Sequence, residues 1–330
     1  MNTAARHGPH PSPAAWLAEH HGLRIAASRC VARLDCEIHR LRLAAGRNGA
    51  GDLALRIYPT RIVDATAIAD EVTWLSALGD AGLHVPTPRC GLDGQFVHRW
   101  PDGRLAVVLS WVDGRLLDKA LRPQHFARVG RLAGAMHKVA EALLAQGRVA
   151  GTRPADAPDL AAWAEGRRAP HPALPAPVQR RAEAAARRLT AELAAFPRDH
   201  SAWGFIHSDL HLWNLLFKGH GDQAVAGAID FSECGWGHHA QDLASVLHWV
   251  KHPVVGNHDH RPLYPRHRAA LLEGYAAVRP LPQDVERQID AYIELRMINA
   301  IEWVLDTWPS VDEQPWGRAF LQRAGEFFSD

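Results

Sequence analysis

Cysteine is scarce in this chain: Cys30, Cys36, Cys90 and Cys234 stand far apart in 330 residues and form no C-x-x-C pair. That pattern excludes a small disulfide-stapled secreted domain and suits reduced thiols. Long hydrophobic runs are lacking too. No apolar stretch approaches the roughly 20 residues that cross a bilayer, and the start MNTAARHGPHPSP has no apolar segment of a signal peptide. The expected location is therefore the cytoplasm. Nor is there an excess of charge of one sign. With 37 Lys plus Arg against 36 Asp plus Glu, the net charge of +1 supplies no overall field to recruit nucleic acid or an anionic membrane. A G-x-G-x-x-G loop is missing as well, and the sequence carries no signal for oligomeric state.

What is present is 47% hydrophobic residues, enough for one large core or two modest ones. Residues 1–13, rich in Pro, His and Ala, read as a flexible tail. The runs LRIAAS, HRLRLA and DLALRIY (52–58) then read as successive antiparallel strands. A helix follows in DATAIADEVTWLSALGDAG, with Ile68, Val72 and Leu75 on one face and Gly82 as its stop signal. GQFVHRW and RLAVVLSWV supply two more strands. Beyond residue 114 the texture turns helical, as in HFARVGRLAGAMHKVAEALL and VQRRAEAAARRLTAELAAF. These patterns divide the chain into 14–112 and 113–330.

One segment interrupts the helical half. FIHSDLHLWNLLF, the polar turn KGHGDQ and AVAGAIDF read as a loop held between strands, where catalytic groups tend to sit. It carries His207, Asp209 and Asn214, with Asp230 at the end of an apolar strand. A carboxylate such as Asp209 can orient a substrate hydroxyl and accept its proton. Asn214 and Asp230 offer hard oxygen ligands suited to Mg2+ and its nucleotide phosphates.

HSDLHLWN followed by AIDF resembles the catalytic and metal-binding loops of the aminoglycoside phosphotransferase family, which includes antibiotic, choline and homoserine kinases. The resemblance extends to GWGHHAQDLA, where Asp242 matches an Asp that braces the catalytic loop. It implies a two-lobed α+β protein-kinase-like fold: a small antiparallel-sheet lobe with one helix, then a larger, mainly helical lobe, with ATP or GTP and Mg2+ between them. His207 is then structural, pinning the loop by hydrogen bonding. A plain alternative is that Asp209 and Asp230 merely cap turns.

A rival chemistry is metal-dependent hydrolysis, because His207, Asp209 and His211 alternate as H-x-D-x-H and could present ligands on one face of an extended segment. It accounts for neither Asn214 nor Asp230. The later histidines His248, His252, His258 and His260 read as a solvated loop.

Kinase-like enzymes also hold phosphates with a cation on the third strand, paired to a helix carboxylate. Alternation in LALRIY puts Arg56 on the face opposite Leu55 and Ile57, and Glu71 shares a helix stripe with Leu75 and Leu78. The two are expected to pair; otherwise both are surface charges that never meet. Most kinase-like enzymes carry Lys here, whereas Arg keeps a permanent charge and a bidentate fork. The remaining phosphate contacts are expected from loop amides of 35–38. Adenine is expected against Ser110 and Val112.

HSD in place of HRD, IDF in place of DFG and the lack of A-P-E favour a small-molecule hydroxyl acceptor. A Ser/Thr protein kinase of the same family and a nucleotide-binding pseudoenzyme stand as alternatives. Trp213, Trp236, Trp249, Trp303 and Trp308, with Glu233, Glu302 and Asp306, are available to an acceptor pocket, most of these tryptophans also being natural core residues. The charged residues of the helix VERQIDAYIELRMINAIEWVLD are expected to face solvent.

Overall fold

The computed structural model describes residues 12–33, 36–44, 51–59, 65–149, 160–253, 258–307, 310–313 and 316–328. The chain divides into two compact units, one of residues 1–113 with 146–150 and the other of residues 114–145 with 151–330. Residues 1–11 of the expected tail lie outside the described part. Pro13, its last expected residue, instead opens a helix.

In the first unit, α1 (Pro13–His21) starts where Ser12 caps Ala15 N–H at 3.3 Å and stops at Gly22, whose φ of 62° provides the left-handed turn. Then come β1 (Ile25–Arg33), β2 (Glu37–Leu43), β3 (Leu53–Ile57), α2 (Ala65–Asp80), β4 (Pro88–Arg89), β5 (Val97–Arg99) and β6 (Leu105–Ser110). Their antiparallel sheet runs β1-β2-β3-β6-β4, with β5 also pairing β6. Alternation decides what each face buries. Leu53, Leu55 and Ile57 point to one side, into a core with Trp16, Leu17, Leu41, Trp100 and Val108. Arg56 points to the other. The sequence patterns place β1, β2, β3, β5, β6 and α2; α1 and the two-residue β4 were not among them.

The second unit contains α3 (Pro123–Ala145), α4 (Leu160–Ala164), α5 (Ala176–Ala194), β7 (Trp203–Ile206), β8 (Leu215–Lys218), β9 (Val225–Ala228), β10 (Gly235–His238), α6 (His239–Lys251), α7 (Tyr264–Ala276), α8 (Val285–Thr307) and α9 (Gly317–Arg323). Helices α3 and α7 approach so closely that a Cβ on Gly130 would lie 2.0 Å from Leu271 O, and one on Gly274 2.0 Å from Ala127 O. Only glycine fits at either point. Helix α8 buries Ile289, Ile293, Met297, Ile298 and Ile301. Two short antiparallel ladders complete the unit: β7 with β10, and β8 with β9. Together they fix the two loops that carry the polar constellation. No helix of the described residues is long and apolar enough to cross a membrane.

Candidate active site

The β7 strand delivers the chain into His207, Ser208 and Asp209. Ser208 adopts a φ of 71° and Asp230 one of 63°, left-handed values that non-glycine residues hold only when their surroundings impose them. The imposing group at Ser208 is Asp242, fully buried in the first turn of α6. Its Oδ2 accepts from His207 N–H at 2.9 Å and its Oδ1 from Ser208 N–H at 2.8 Å. His137 Nε2 lies 3.0 Å from the same carboxylate, and its Nδ1 lies 2.9 Å from Tyr275 Oη. Burial raises the Asp242 carboxyl above its ordinary value, with His207 and the two backbone donors opposing. Burial pushes His137 down to about 3, so it meets Asp242 as a neutral imidazole.

His207 is itself completely buried. Its Nε2 lies 3.0 Å from Ile229 O and its Nδ1 accepts from Asp209 N–H at 3.3 Å, an arrangement that fits one neutral tautomer. Burial lowers its pKa accordingly. With both ring nitrogens committed, it cannot ligate a metal. The H-x-D-x-H hydrolase reading fails at that residue. Among the described residues the His, Cys, Asp and Glu side chains close enough to share an ion are instead Cys30, Glu37 and His39 on the β1–β2 hairpin.

Asp209 keeps 30% of its side chain exposed. Asn214 Nδ2 donates to its backbone oxygen at 2.9 Å and to Oδ2 at 3.2 Å. His211 Nε2 lies 3.4 Å from Oδ2. Arg296, on α8, donates to Oδ1 at 2.7 Å and to Ser208 O at 3.2 Å. Burial alone would raise the Asp209 pKa; His211, Arg296 and His207 outweigh it and hold the carboxyl below its ordinary value. Burial also lowers His211, so near neutrality Arg296 is the permanent charge that keeps Asp209 ionised.

Arg296 was missed in the sequence, where the charges of this helix are expected to face solvent. Its signal was local: it sits between Leu295 and Met297 in a stretch with Ile293 and Ile298, all buried. A guanidinium in so apolar a run needs a partner.

The β8–β9 hairpin brings Asn214 and Asp230 to neighbouring positions, with Ile229 N–H donating to Asn214 O at 2.9 Å. Because the Asn214 amide nitrogen serves Asp209, its oxygen remains as an acceptor. Asp230 accepts from Ser232 Oγ at 2.9 Å. An amide oxygen and a carboxylate are the donor set that a hard divalent cation takes, so the residues fit Mg2+.

In the first unit, Arg56 and Glu71 meet. Nη1 donates to Oε1 at 2.7 Å, Tyr58 Oη donates to Oε2 at 2.8 Å, and both charged side chains are at least 95% buried. Ser110 N–H donates to Thr87 O at 2.8 Å and its Oγ accepts from Thr87 N–H and Oγ1, so these groups serve Thr87, the residue before β4. Val112 is buried at 8% exposure. Of the loop 35–38 expected under the phosphates, 35 lies outside the described residues. The later histidines are not a solvated loop: His248, His252 and His260 are buried, the His252 ring lying tilted against Phe327 with centroids 4.5 Å apart, and only His258 of the four is exposed.

The model of the phosphotransferase enzyme family matches residues 39–281 of this chain. The chain belongs to the phosphotransferase enzyme family. An uncharacterised protein of Deinococcus radiodurans is 29% identical over 244 residues, covering 71% of this chain and 66% of its own. Amicoumacin kinase of Bacillus subtilis is 25% identical over 211 residues, 62% of this chain and 59% of its own. The chain thus spans less than two thirds of either relative. Among solved structures, an amicoumacin kinase in complex with AMP-PNP, Ca2+ and Ami superposes with a TM-score of 0.75 at 20% identity, over 94% of this chain and 92% of that one. A microcompartment-associated aminopropanol kinase gives 0.73 at 20% identity over 94% of both chains. A spectinomycin phosphotransferase with ADP and spectinomycin gives 0.62 at 13% identity over 95% of both. These likenesses fix the fold as kinase-like α+β, an antiparallel-sheet part followed by a mainly helical part. The family members carry out phosphotransfer on this architecture.

Proposed function

We propose that this chain transfers the γ-phosphoryl group of ATP or GTP to a hydroxyl of a small molecule, in the cytoplasm. The observation that carries the reading is Asp209: a partly exposed carboxylate, held ionised by Arg296, on a loop whose unusual backbone is fixed by buried Asp242. In the proposed reaction Oδ1 stays bound to Arg296, while Oδ2 orients the acceptor O–H and takes its proton. The acceptor oxygen then bonds to the γ-phosphorus in line as the bond to the leaving nucleoside diphosphate breaks.

Mg2+, held by Asn214 and Asp230, would supply charge neutralisation on the phosphate oxygens. His207 and Asp242 hold the loop. In the first unit Arg56, oriented by Glu71, is assigned to phosphate and Val112 to adenine; Ser110 serves that segment by its bonds to Thr87. The nucleotide choice draws on solved neighbours, which carry AMP-PNP, ADP or GDP.

The test offers γ-labelled ATP or GTP with Mg2+ to wild type and Asp209→Asn, with aminoglycosides, aminoalcohols, homoserine, choline and a Ser/Thr protein mixture as acceptors. Labelling of a small molecule that vanishes in the variant supports the reading. Labelling of protein alone moves it to the protein-kinase branch, and nucleotide binding without any transfer points to a pseudoenzyme.

A further inference from the structure

The sheet face that buries Leu41, Leu53, Leu55 and Ile57 turns polar at one end. Along β2, residues 37, 39 and 41 share that face: Leu41 pairs with Leu53, His39 with Leu55 and Glu37 with Ile57. Apolar side chains at 37 and 39 would simply extend the core. A carboxylate and a buried imidazole stand there instead. Across the hairpin, His39 pairs with Cys30 and Glu37 with Arg33 of β1, with a register shift between Cys30 and Ala32. Directly opposed residues of an antiparallel ladder project to the same side, so pairing and alternation bring a thiol, an imidazole and a carboxylate together. One ligand atom from each lies within 4.8 Å of the other two. Arg56 pairs with Ile38 and projects to the other side of the sheet, so this cluster is separate from the residues assigned to the nucleotide.

The charges around the cluster favour a cation. Glu37 Oε1 lies 2.8 Å from His39 Nε2 and 3.4 Å from Arg33 Nη2, while Oε2 accepts from both terminal nitrogens of Arg104 at 3.2 Å. Burial alone would raise the Glu37 pKa; His39 and Arg104 outweigh it and keep the carboxylate ionised. Arg33 Nε also donates to Cys30 Sγ at 3.3 Å, so one guanidinium bridges the thiol and the carboxylate. It sits where a cation is wanted. With 70% of its side chain exposed, it can withdraw into water when a better one arrives. Arg104 then keeps Oε2, and Oε1 turns to the ion.

The donor set names that ion. A hard cation such as Mg2+ takes oxygen ligands, whereas thiolate with imidazole and carboxylate selects Zn2+. Zinc bonds of about 2.0–2.3 Å in a tetrahedron place ligand atoms about 3.5 Å apart, a short contraction for side chains at the edge of a hairpin. We propose that Cys30, Glu37 and His39 bind one Zn2+ ion, with water in the fourth position, and that the ion clips β1 to β2. The Cys30 thiol loses its proton on binding, and the metal takes the place of the proton that His39 and Glu37 share. The site stands independently of the phosphotransferase reading.

The test adds Co2+, the optical stand-in for Zn2+, to the full chain after chelator treatment. Wild type is expected to show a thiolate-to-cobalt charge-transfer band that saturates at one ion per chain and disappears when Zn2+ is added. Cobalt held by Asn214 and Asp230 has no sulfur ligand and gives no such band. Cys30→Ser should abolish the band, Cys36→Ser and Cys90→Ser should keep it, and His39→Ala should weaken Co2+ binding by at least about tenfold. Zn2+ should also raise the melting temperature of wild type but not of Cys30→Ser, whose small change at a half-buried position leaves a folded protein to compare. Absence of the band in wild type, its survival in Cys30→Ser, or its loss in Cys36→Ser or Cys90→Ser overturns the inference. Asp209→Asn, which tests the phosphotransferase reading, should leave the band untouched.

Discussion

Arg296 and Asp209 show how one ion pair serves both ionisation and position. The guanidinium bonds Oδ1 and the carbonyl of Ser208, so it pins the carboxylate relative to the loop that carries it. The lowered Asp209 pKa means that the deprotonated form persists as pH falls, until the pH passes through that depressed value. Arg296→Gln removes the charge but keeps a donor. In that variant the acid limb of the kcat/KM profile should move to higher pH, and an unmoved limb would show that Arg296 does not set the ionisation. Arg56 and Glu71 invite a stability test. Glu71→Gln leaves a buried guanidinium without its counter-charge, which costs about 3–5 kcal/mol, read as a lower urea midpoint. An unchanged midpoint would mean that the pair is already solvated.

At the scale of elements, the α3–α7 crossing rests on two glycines. Gly130→Ala or Gly274→Ala forces a methyl against a facing carbonyl at 2.0 Å, and overpacking of this kind destabilises by roughly 1–3 kcal/mol. Thermal melting of either variant checks it; no loss would mean that the helices separate freely. Helix α3 also carries His137 and α7 Tyr275, which support Asp242, so widening this crossing should loosen the 207–209 loop as well. Much of the candidate site's geometry was legible at this scale. Asp209, Asn214, Asp230 and Asp242 sit in local strings whose spacing survives in any one-dimensional reading, and strand alternation separated Arg56 from Leu55 and Ile57. Arg296 was not legible, because its partner lies 87 positions away and no periodicity links a helix residue to a distant loop. The buried histidines on and after α6 were misread for a related reason: composition suggested solvent, while tertiary packing supplied apolar walls such as Phe327. Helix α1 escaped because its short apolar stretch follows a Pro-rich start, and its capping Ser12 is a single residue.

Across the second unit as a whole, neutral histidines are buried in number. His137 is held down to about 3, His238 to about 4, His239 to about 2 and His252 to about 3, in each case chiefly by burial. The unfolded chain titrates these rings near 6.5 and therefore binds more protons than the folded one between about 6.5 and 4. Stability should fall as pH drops through that window, by up to about 1.4 kcal/mol per pH unit for each histidine. A melting temperature that stays level from pH 7 to 4.5 would contradict the burial of these rings as neutral groups. The family assignment covers residues of both units, 39–281, and the loops of the second hold the proposed chemistry.

Asp209 is the centre of the proposed chemistry, and the measurement that reaches it most directly is the phosphoryl-transfer rate of Asp209→Asn set beside its nucleotide affinity. Loss of a positioned proton acceptor predicts a fall in rate of roughly 10²–10⁴-fold, with nucleotide affinity changed by less than about twofold. Transfer at a rate close to wild type would contradict the role of Asp209 as proton acceptor, whatever the acceptor.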